Sequence, residues 1–298
     1  MAGELDIVRE IRILEASFRN ATNAILSPNL WHSADNTFRP DNWLITFPYN
    51  YSSCFNNGSL ELIRKLAVIN ALYLVFFRRE DDVLDEYHLR QYEYRGLLLK
   101  MCEAHNLRNL AVGQLLQLCG DDVYPYLFDY ERKYYGALIW EKAQHSVSLE
   151  NMLEEENLKW LGYKLIPLAL TYAGFCVKTG TVRNLDCCES LLVHYHMARQ
   201  LADDLDDLPR DITKPDKSCI ILACERSLHT AVDASGVMET LIQEGFYKKI
   251  LEVIADHLNK AKAYALRLNF QFFLRHIEKA EKAVASSNGL RMHRISNP

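Results

Sequence analysis

The pattern Asp-Asp-x-x-Asp occurs twice in this chain, as Asp81-Asp82-Val83-Leu84-Asp85 and as Asp203-Asp204-Leu205-Asp206-Asp207, with 122 residues between the two starts. Each copy closes a long apolar stretch, Leu66 to Phe77 before the first and Leu191 to Ala202, interrupted by His and Arg, before the second. On a helix, residues three and four apart share a face. Asp81 and Asp85 then point one way with Asp82 close by, and Asp203, Asp204 and Asp207 repeat the arrangement. Like charges so crowded cost an isolated helix roughly 0.2–0.5 kcal/mol per pair, a penalty that a counterion removes. The chain must therefore accommodate two acidic helix faces, each at the end of a buried run.

The rest of the sequence agrees with helix. At about 5–25 and almost throughout the chain after residue 58 the apolar residues follow the 3.6 period, predicting helices at about 5–25, 59–87, 89–105, 108–118, 121–146, 149–178, 183–208, 217–228, 235–244 and 246–285. No alternating strand pattern stands out, and Asn57-Gly58 precedes a helix rather than joining two strands. The segment 27–57, with Pro28, Trp31, Pro40, Trp43, Pro48, Tyr49 and Tyr51, reads as a long loop whose aromatic residues favour packing. The polar, basic segment 286–298, with Arg291, His293 and Arg294, reads as a frayed tail. No stretch resembles a linker, so residues 1–298 are expected to form one all-α domain.

Composition narrows the function classes. With 49% hydrophobic and 24% charged residues the chain has ample material for a core, and a net charge of −5 leaves no electrostatic footprint for nucleic acid. Met1-Ala2-Gly3-Glu4-Leu5-Asp6 lacks the basic start and apolar run of a signal peptide. The most apolar windows fall short of the roughly 18 apolar residues of a membrane span. A cytoplasmic protein is the expectation. The eight cysteines show no Cys-x-x-Cys spacing, so free thiols and no zinc site are expected.

Paired carboxylate clusters suit Mg²⁺ and diphosphate. Mg²⁺ is a hard cation that takes few protein oxygens, keeps much of its water and bridges to substrate phosphates. The alternative for either cluster alone is an ordinary solvated acidic face.

The run Phe76-Phe77-Arg78-Arg79-Glu80-Asp81-Asp82-Val83-Leu84-Asp85-Glu86-Tyr87 resembles the first aspartate-rich helix of the squalene and phytoene synthase family. Arg199-Gln200-Leu201-Ala202-Asp203-Asp204-Leu205-Asp206-Asp207 is similar to the second motif of trans-prenyl diphosphate synthases, with Gln three residues before the aspartates. Both belong to the class I isoprenoid synthases. The resemblance implies an antiparallel helical bundle around a central cavity, with three Mg²⁺ ions held by Asp81, Asp82, Asp85, Asp203, Asp204 and Asp207 on an allylic prenyl diphosphate. Ionisation would leave the diphosphate on the metals and a carbocation in the apolar cavity. A homodimer is compatible with it.

Further roles follow from position. Arg78 and Arg199 lie four residues before Asp82 and Asp203, where each can reach a phosphate oxygen or simply pair with its own carboxylate. Gln200, one turn before Asp204, is placed to donate to diphosphate, and Arg210, Lys214 and Lys217 follow in a segment able to close over it. Phe76 and Phe77 occupy positions where bulk limits the prenyl tail in chain-elongating relatives; the plainer alternative is two core residues. Tyr73, with Tyr134, Tyr135, Tyr172 and Phe175, offers a π face to a carbocation.

Departures from the family patterns bear on the reaction. The chain offers only Arg90 and Tyr94-Arg95-Gly96 where elongating synthases carry Arg-Arg-Gly, and it has no Gly-Gly-Lys. Its second motif also differs from the Asp-x-x-x-Asp of head-to-head condensing enzymes. Cyclisation of a farnesyl- or geranylgeranyl-sized substrate by a terpene synthase is therefore the leading expectation, and head-to-head condensation the alternative. Chain elongation and a non-catalytic assembly protein with the same fold come behind.

Overall fold

A computed structural model describes residues 6–23, 38–39, 42–52, 59–89, 94–143, 148–213, 218–228, 237, 241–243 and 245–296. Among them the regular structure is helical throughout. The helices are α1 (Ile7–Thr22), α2 (Trp43–Ser52), α3 (Leu60–Leu89), α4 (Tyr94–Cys119), α5 (Tyr124–Ala143), α6 (Leu149–Met152), α7 (Glu155–Tyr163), α8 (Ala169–Thr179), α9 (Leu185–Asp211), α10 (Cys219–Leu228), α11 (Phe246–Arg267) and α12 (Gln271–Ser296). Their contacts divide the chain into two compact units, Met1–Phe128 with Leu168–Leu185, and Asp129–Pro167 with Asp186–Pro298.

In the first unit, α3 and α4 pack along one another, and α1, α2 and α8 lie against α3. Asp6 caps α1 by accepting from the backbone N–H of Arg9, and the buried Glu10 takes a two-pronged ion pair from Arg64 of α3 at 2.8 and 2.7 Å. α2 contains Pro48, which has no N–H for the carbonyl of Leu44 one turn back. That carbonyl is satisfied across the interface instead, by the Asn70 side-chain amide of α3 at 2.7 Å. Tyr51 then ties α2 to α8, its hydroxyl donating to the Thr171 carbonyl at 3.0 Å and its ring meeting Tyr172 and Phe175 edge-on.

In the second unit, α9 is gripped by several neighbours. Tyr130 and Lys133 of α5 both bond Glu189, at 2.5 and 3.2 Å. Gly162 of α7 lets that helix come close, since a Cβ there would lie 2.8 Å from the Val193 carbonyl oxygen. His194 shares a 3.0 Å Nδ1–Nδ1 hydrogen bond with His257 of α11, and Tyr195 meets Phe273 of α12 edge-on. α11 and α12 are joined by a short turn in which Asn269 takes φ 54°, a left-handed conformation that Asn tolerates better than most residues.

Several predicted bounds change. The expected loop 27–57 contains α2, because the aromatic residues of 43–51 are buried against the first unit; most of the remainder lies outside the described residues. The expected helices 89–105 and 108–118 are one helix, since Ala104, Leu107, Ala111 and Leu115 continue a single buried stripe. The predicted helix 149–178 is broken at Leu153–Glu154 and again before α8, while 246–285 is broken at Asn269. α12 continues to Ser296 where a frayed tail was expected.

Candidate functional site

The first acidic motif stands on α3, in the first unit. One turn before it, Tyr73, Phe76 and Phe77 form a buried aromatic group, with Phe77 stacked on Tyr73 at 5.5 Å and tilted against Phe76 at 4.7 Å. Asp82 is 49% exposed and pairs only distantly with Arg79, at 3.8 Å, while Asp81 is half-buried. Arg79 makes the contact expected of Arg78; Arg78 is exposed and forms no ion pair among the described residues. The side chain of Asp85 lies outside the described residues.

The second motif stands on α9, in the second unit, and its carboxylates are far more engaged. Arg199 Nε donates to Asp203 at 3.3 Å, and Arg210 pairs with Asp207. Both carboxylates remain about half exposed, at 53% and 41%. Partial burial is the main cause that raises Asp203 above the usual carboxylate range; Arg199 pulls the other way, and Asp207 and Asp206 add to the rise.

Asp204 points inward and is 5% exposed. Its two oxygens are taken by Gln200 Nε2 at 2.8 Å and by the Cys219 thiol of α10 at 3.1 Å. Burial pushes its pKa up to about 6, against these two hydrogen bonds, with Glu141 adding to the rise and Lys164 opposing it. Gln200, expected to donate to a diphosphate, is thus engaged with its own helix's carboxylate. Each Asp204 oxygen thus has one hydrogen-bond partner, and burial leaves it far less accessible than Asp203 and Asp207.

The same interior holds residues that the sequence did not single out. Lys164 lies just after α7, and its ammonium donates to both oxygens of Glu141 of α5 at 3.0 and 2.8 Å. His196 of α9 has a buried Nδ1 with no hydrogen-bond partner among the described residues, and burial followed by Lys164 and Arg199 lowers its pKa to about 3. No spacing in the sequence announces these contacts, which join residues on different elements. Tyr134 and Tyr172 are buried, as is Phe175, each in the packing of its own unit. Lys214 and Lys217 lie outside the described residues.

Among the described residues no three His, Cys, Asp or Glu side chains converge on one metal position. The donors present nevertheless fit Mg²⁺, since the accessible oxygens of Asp82, Asp203 and Asp207 are hard ligands, and this ion completes its shell with water and phosphate. Again among the described residues, no single helix is long and apolar enough to cross a membrane.

No family model and no curated protein matches the sequence. Solved structures do match the fold. A geranylgeranyl pyrophosphate synthase from Lactobacillus brevis superposes with a TM-score of 0.68 at 15% identity, covering 93% of this chain and 95% of the other. A heptaprenyl diphosphate synthase from Staphylococcus aureus gives 0.66 at 14% identity, over 93% of this chain and 98% of the other. A geranylgeranyl pyrophosphate synthetase from Pyrococcus horikoshii gives 0.66 at 15% identity, over 91% and 97%. The chain has the all-α isoprenoid synthase fold, shared over nearly its whole length with these prenyl diphosphate synthases.

Proposed function

We propose that the chain is a Mg²⁺-dependent class I isoprenoid synthase that ionises an allylic prenyl diphosphate. The observation that carries this reading is that an isoprenoid synthase fold has its two Asp-Asp-x-x-Asp motifs on two long helices, with half-exposed carboxylates in each. Asp81 and Asp82 on α3, and Asp203 and Asp207 on α9, would each offer oxygens to Mg²⁺, with Asp85 as a further candidate. When bound, it would supply the positive charge that stabilises a departing diphosphate. The chain's own cations, Arg78 and Arg199, have the complementary task of binding phosphate oxygens. Asp204 and Gln200 act one step back, fixing the helix that presents Asp203 and Asp207. Tyr73, Phe76 and Phe77 supply apolar surface that orients a hydrocarbon chain and excludes water.

Two fates of the carbocation have support. Prenyl transfer to a second, homoallylic diphosphate is favoured by the names of the structurally similar proteins, which are synthases of geranylgeranyl and heptaprenyl diphosphates. Cyclisation is favoured by the sequence, which lacks the Gly-Gly-Lys and Arg-Arg-Gly runs associated with a homoallylic site. We take prenyl transfer as the leading reading. Incubation with geranyl, farnesyl or geranylgeranyl diphosphate and Mg²⁺, with and without isopentenyl diphosphate, separates them. Longer prenyl diphosphates formed only when isopentenyl diphosphate is present establish transfer, cyclic hydrocarbons or alcohols formed without it establish cyclisation, and a linear hydrocarbon of twice the substrate's carbon number marks head-to-head condensation. No turnover of any of the three allylic substrates under either condition would overturn the assignment.

A further inference from the structure

A cavity of about 290 Å³ lies within the second unit, between α9, α11 and α12. Small side chains create it. Ala198 and Ala202 of α9 line it together with Ala280 and Ala283 of α12, where longer side chains would close the gap. At its inner end are Ile254 and Leu258 of α11, 1% and 2% exposed. Its other end reaches exposed residues, with Asp206 on the α9 side and Lys279 on the α12 side. The volume is at the small end of ligand pockets, which run from roughly 300 to 1,000 Å³.

The α12 side of the mouth is cationic. Lys279 lies one turn from Arg275, and neither forms an ion pair among the described residues. His276, which lines the cavity between them, titrates below its ordinary range because of burial first and then the charges of Lys279, Arg199 and Arg275. On the α9 side, Asp203 and Asp206 would repel an anion, although Arg199 offsets Asp203 at 3.3 Å. An anionic head is therefore directed to α12. The inner apolar wall has nothing to offer it, so the hydrocarbon goes there.

We infer that this cavity binds an amphiphile with one short hydrocarbon chain, its tail among the alanines and Ile254 and its phosphate or carboxylate head on Lys279 and Arg275. The site needs no metal, and its existence does not depend on the function proposed above. Isothermal titration with octyl, decyl and dodecyl phosphate in excess EDTA tests it, with decanoate and decanol as further arms. The expected result is 1:1 binding that tightens about fourfold per added methylene until the cavity is full, with decanol weaker than either anion. Preference for phosphate over decanoate would point to a phosphorylated lipid or prenyl ligand, and the reverse to a fatty acid. Ala280→Leu, which fills the cavity, should weaken decyl phosphate at least tenfold. Lys279→Glu should weaken it comparably while leaving decanol unchanged, and as an exposed substitution it remains decisive if Ala280→Leu does not fold. Affinity independent of chain length, affinity unchanged by Lys279→Glu, or binding that appears only with Mg²⁺ would overturn the inference.

Discussion

The two acidic motifs have the same spacing but different surroundings. On α3 the turn before the aspartates is aromatic and buried, and among the described residues Asp82 pairs only distantly, with Arg79. On α9 the turn before them is polar, with Arg199 held by Asp203, Gln200 by Asp204 and, one turn later, Arg210 by Asp207. A spacing pattern places carboxylates on a helix face; the neighbouring turn decides whether they are available or already committed. By that criterion Asp82, 49% exposed, is more accessible than Asp204, which is 5% exposed and bonded through both oxygens.

The largest expected effect lies beneath the first motif. Phe77→Ala should cost about 3–5 kcal/mol of stability, the usual range for a buried Phe. Phe77→Leu should remain folded and move chain-length preference toward longer substrates. If Phe77→Leu leaves both stability and chain-length preference unchanged, the aromatic group is not a platform for the motif or for substrate.

Next come the exposed carboxylates. Asp82→Asn and Asp203→Asn should each lower turnover by about a hundredfold to a thousandfold, the scale for losing one group that stabilises transition-state charge. Their melting temperatures should stay within a few degrees of the parent. A variant that turns over normally would remove its motif from the chemistry.

Asp204 should behave in the opposite sense. Asp204→Ala leaves the Gln200 amide and the Cys219 thiol without their acceptor, a loss of about 1–3 kcal/mol in thermal or denaturant unfolding. Asp204→Asn, which keeps an acceptor, should lose less. An Asp204→Ala protein as stable as the parent, yet inactive, would return Asp204 to the ligand set.

These contrasts mark how far the sequence could be read. The 3.6 period identified α3 and α9 and placed their motifs, because long amphipathic runs carry a strong signal. It also missed α2, since Pro48 argues against a helix unless Asn70, 26 positions from Leu44, takes over the orphaned Leu44 carbonyl. The turn at Asn269 escaped notice because neither Gly nor Pro marks it. Spacing suggests Gln200 as a diphosphate donor, whereas in the fold it donates to Asp204, whose other oxygen accepts from Cys219 of α10, 15 positions on. Periodicity reveals which face is buried, and tertiary contacts decide what a buried polar group does there.

A smaller effect should appear in acid. Burial lowers His257 to about 4 and His196 to about 3 from an ordinary 6.5. His257 faces His194 of α9, Glu155 of α7, and Asp256 and Lys260 of its own helix, whose charges partly offset one another. The folded state therefore binds fewer protons than the unfolded one between these values. The contribution of these histidines is full above about 6.5 and falls as pH drops toward 4, opposed in part by the raised carboxyls of Asp203 and Asp204. His257→Gln should flatten this acid limb of a melting-temperature profile. An unchanged profile would show that the pair on α9 and α11 contributes nothing to it.

The central proposal, that the carboxylates of each motif bind Mg²⁺ and diphosphate, is tested most directly by titrating inorganic diphosphate into the protein by calorimetry, with Mg²⁺ and with EDTA. The account predicts binding with Mg²⁺ that is lost in EDTA and is weakened by Asp82→Asn and by Asp203→Asn. Equal affinity in both buffers, or binding with Mg²⁺ that neither substitution alters, would contradict it.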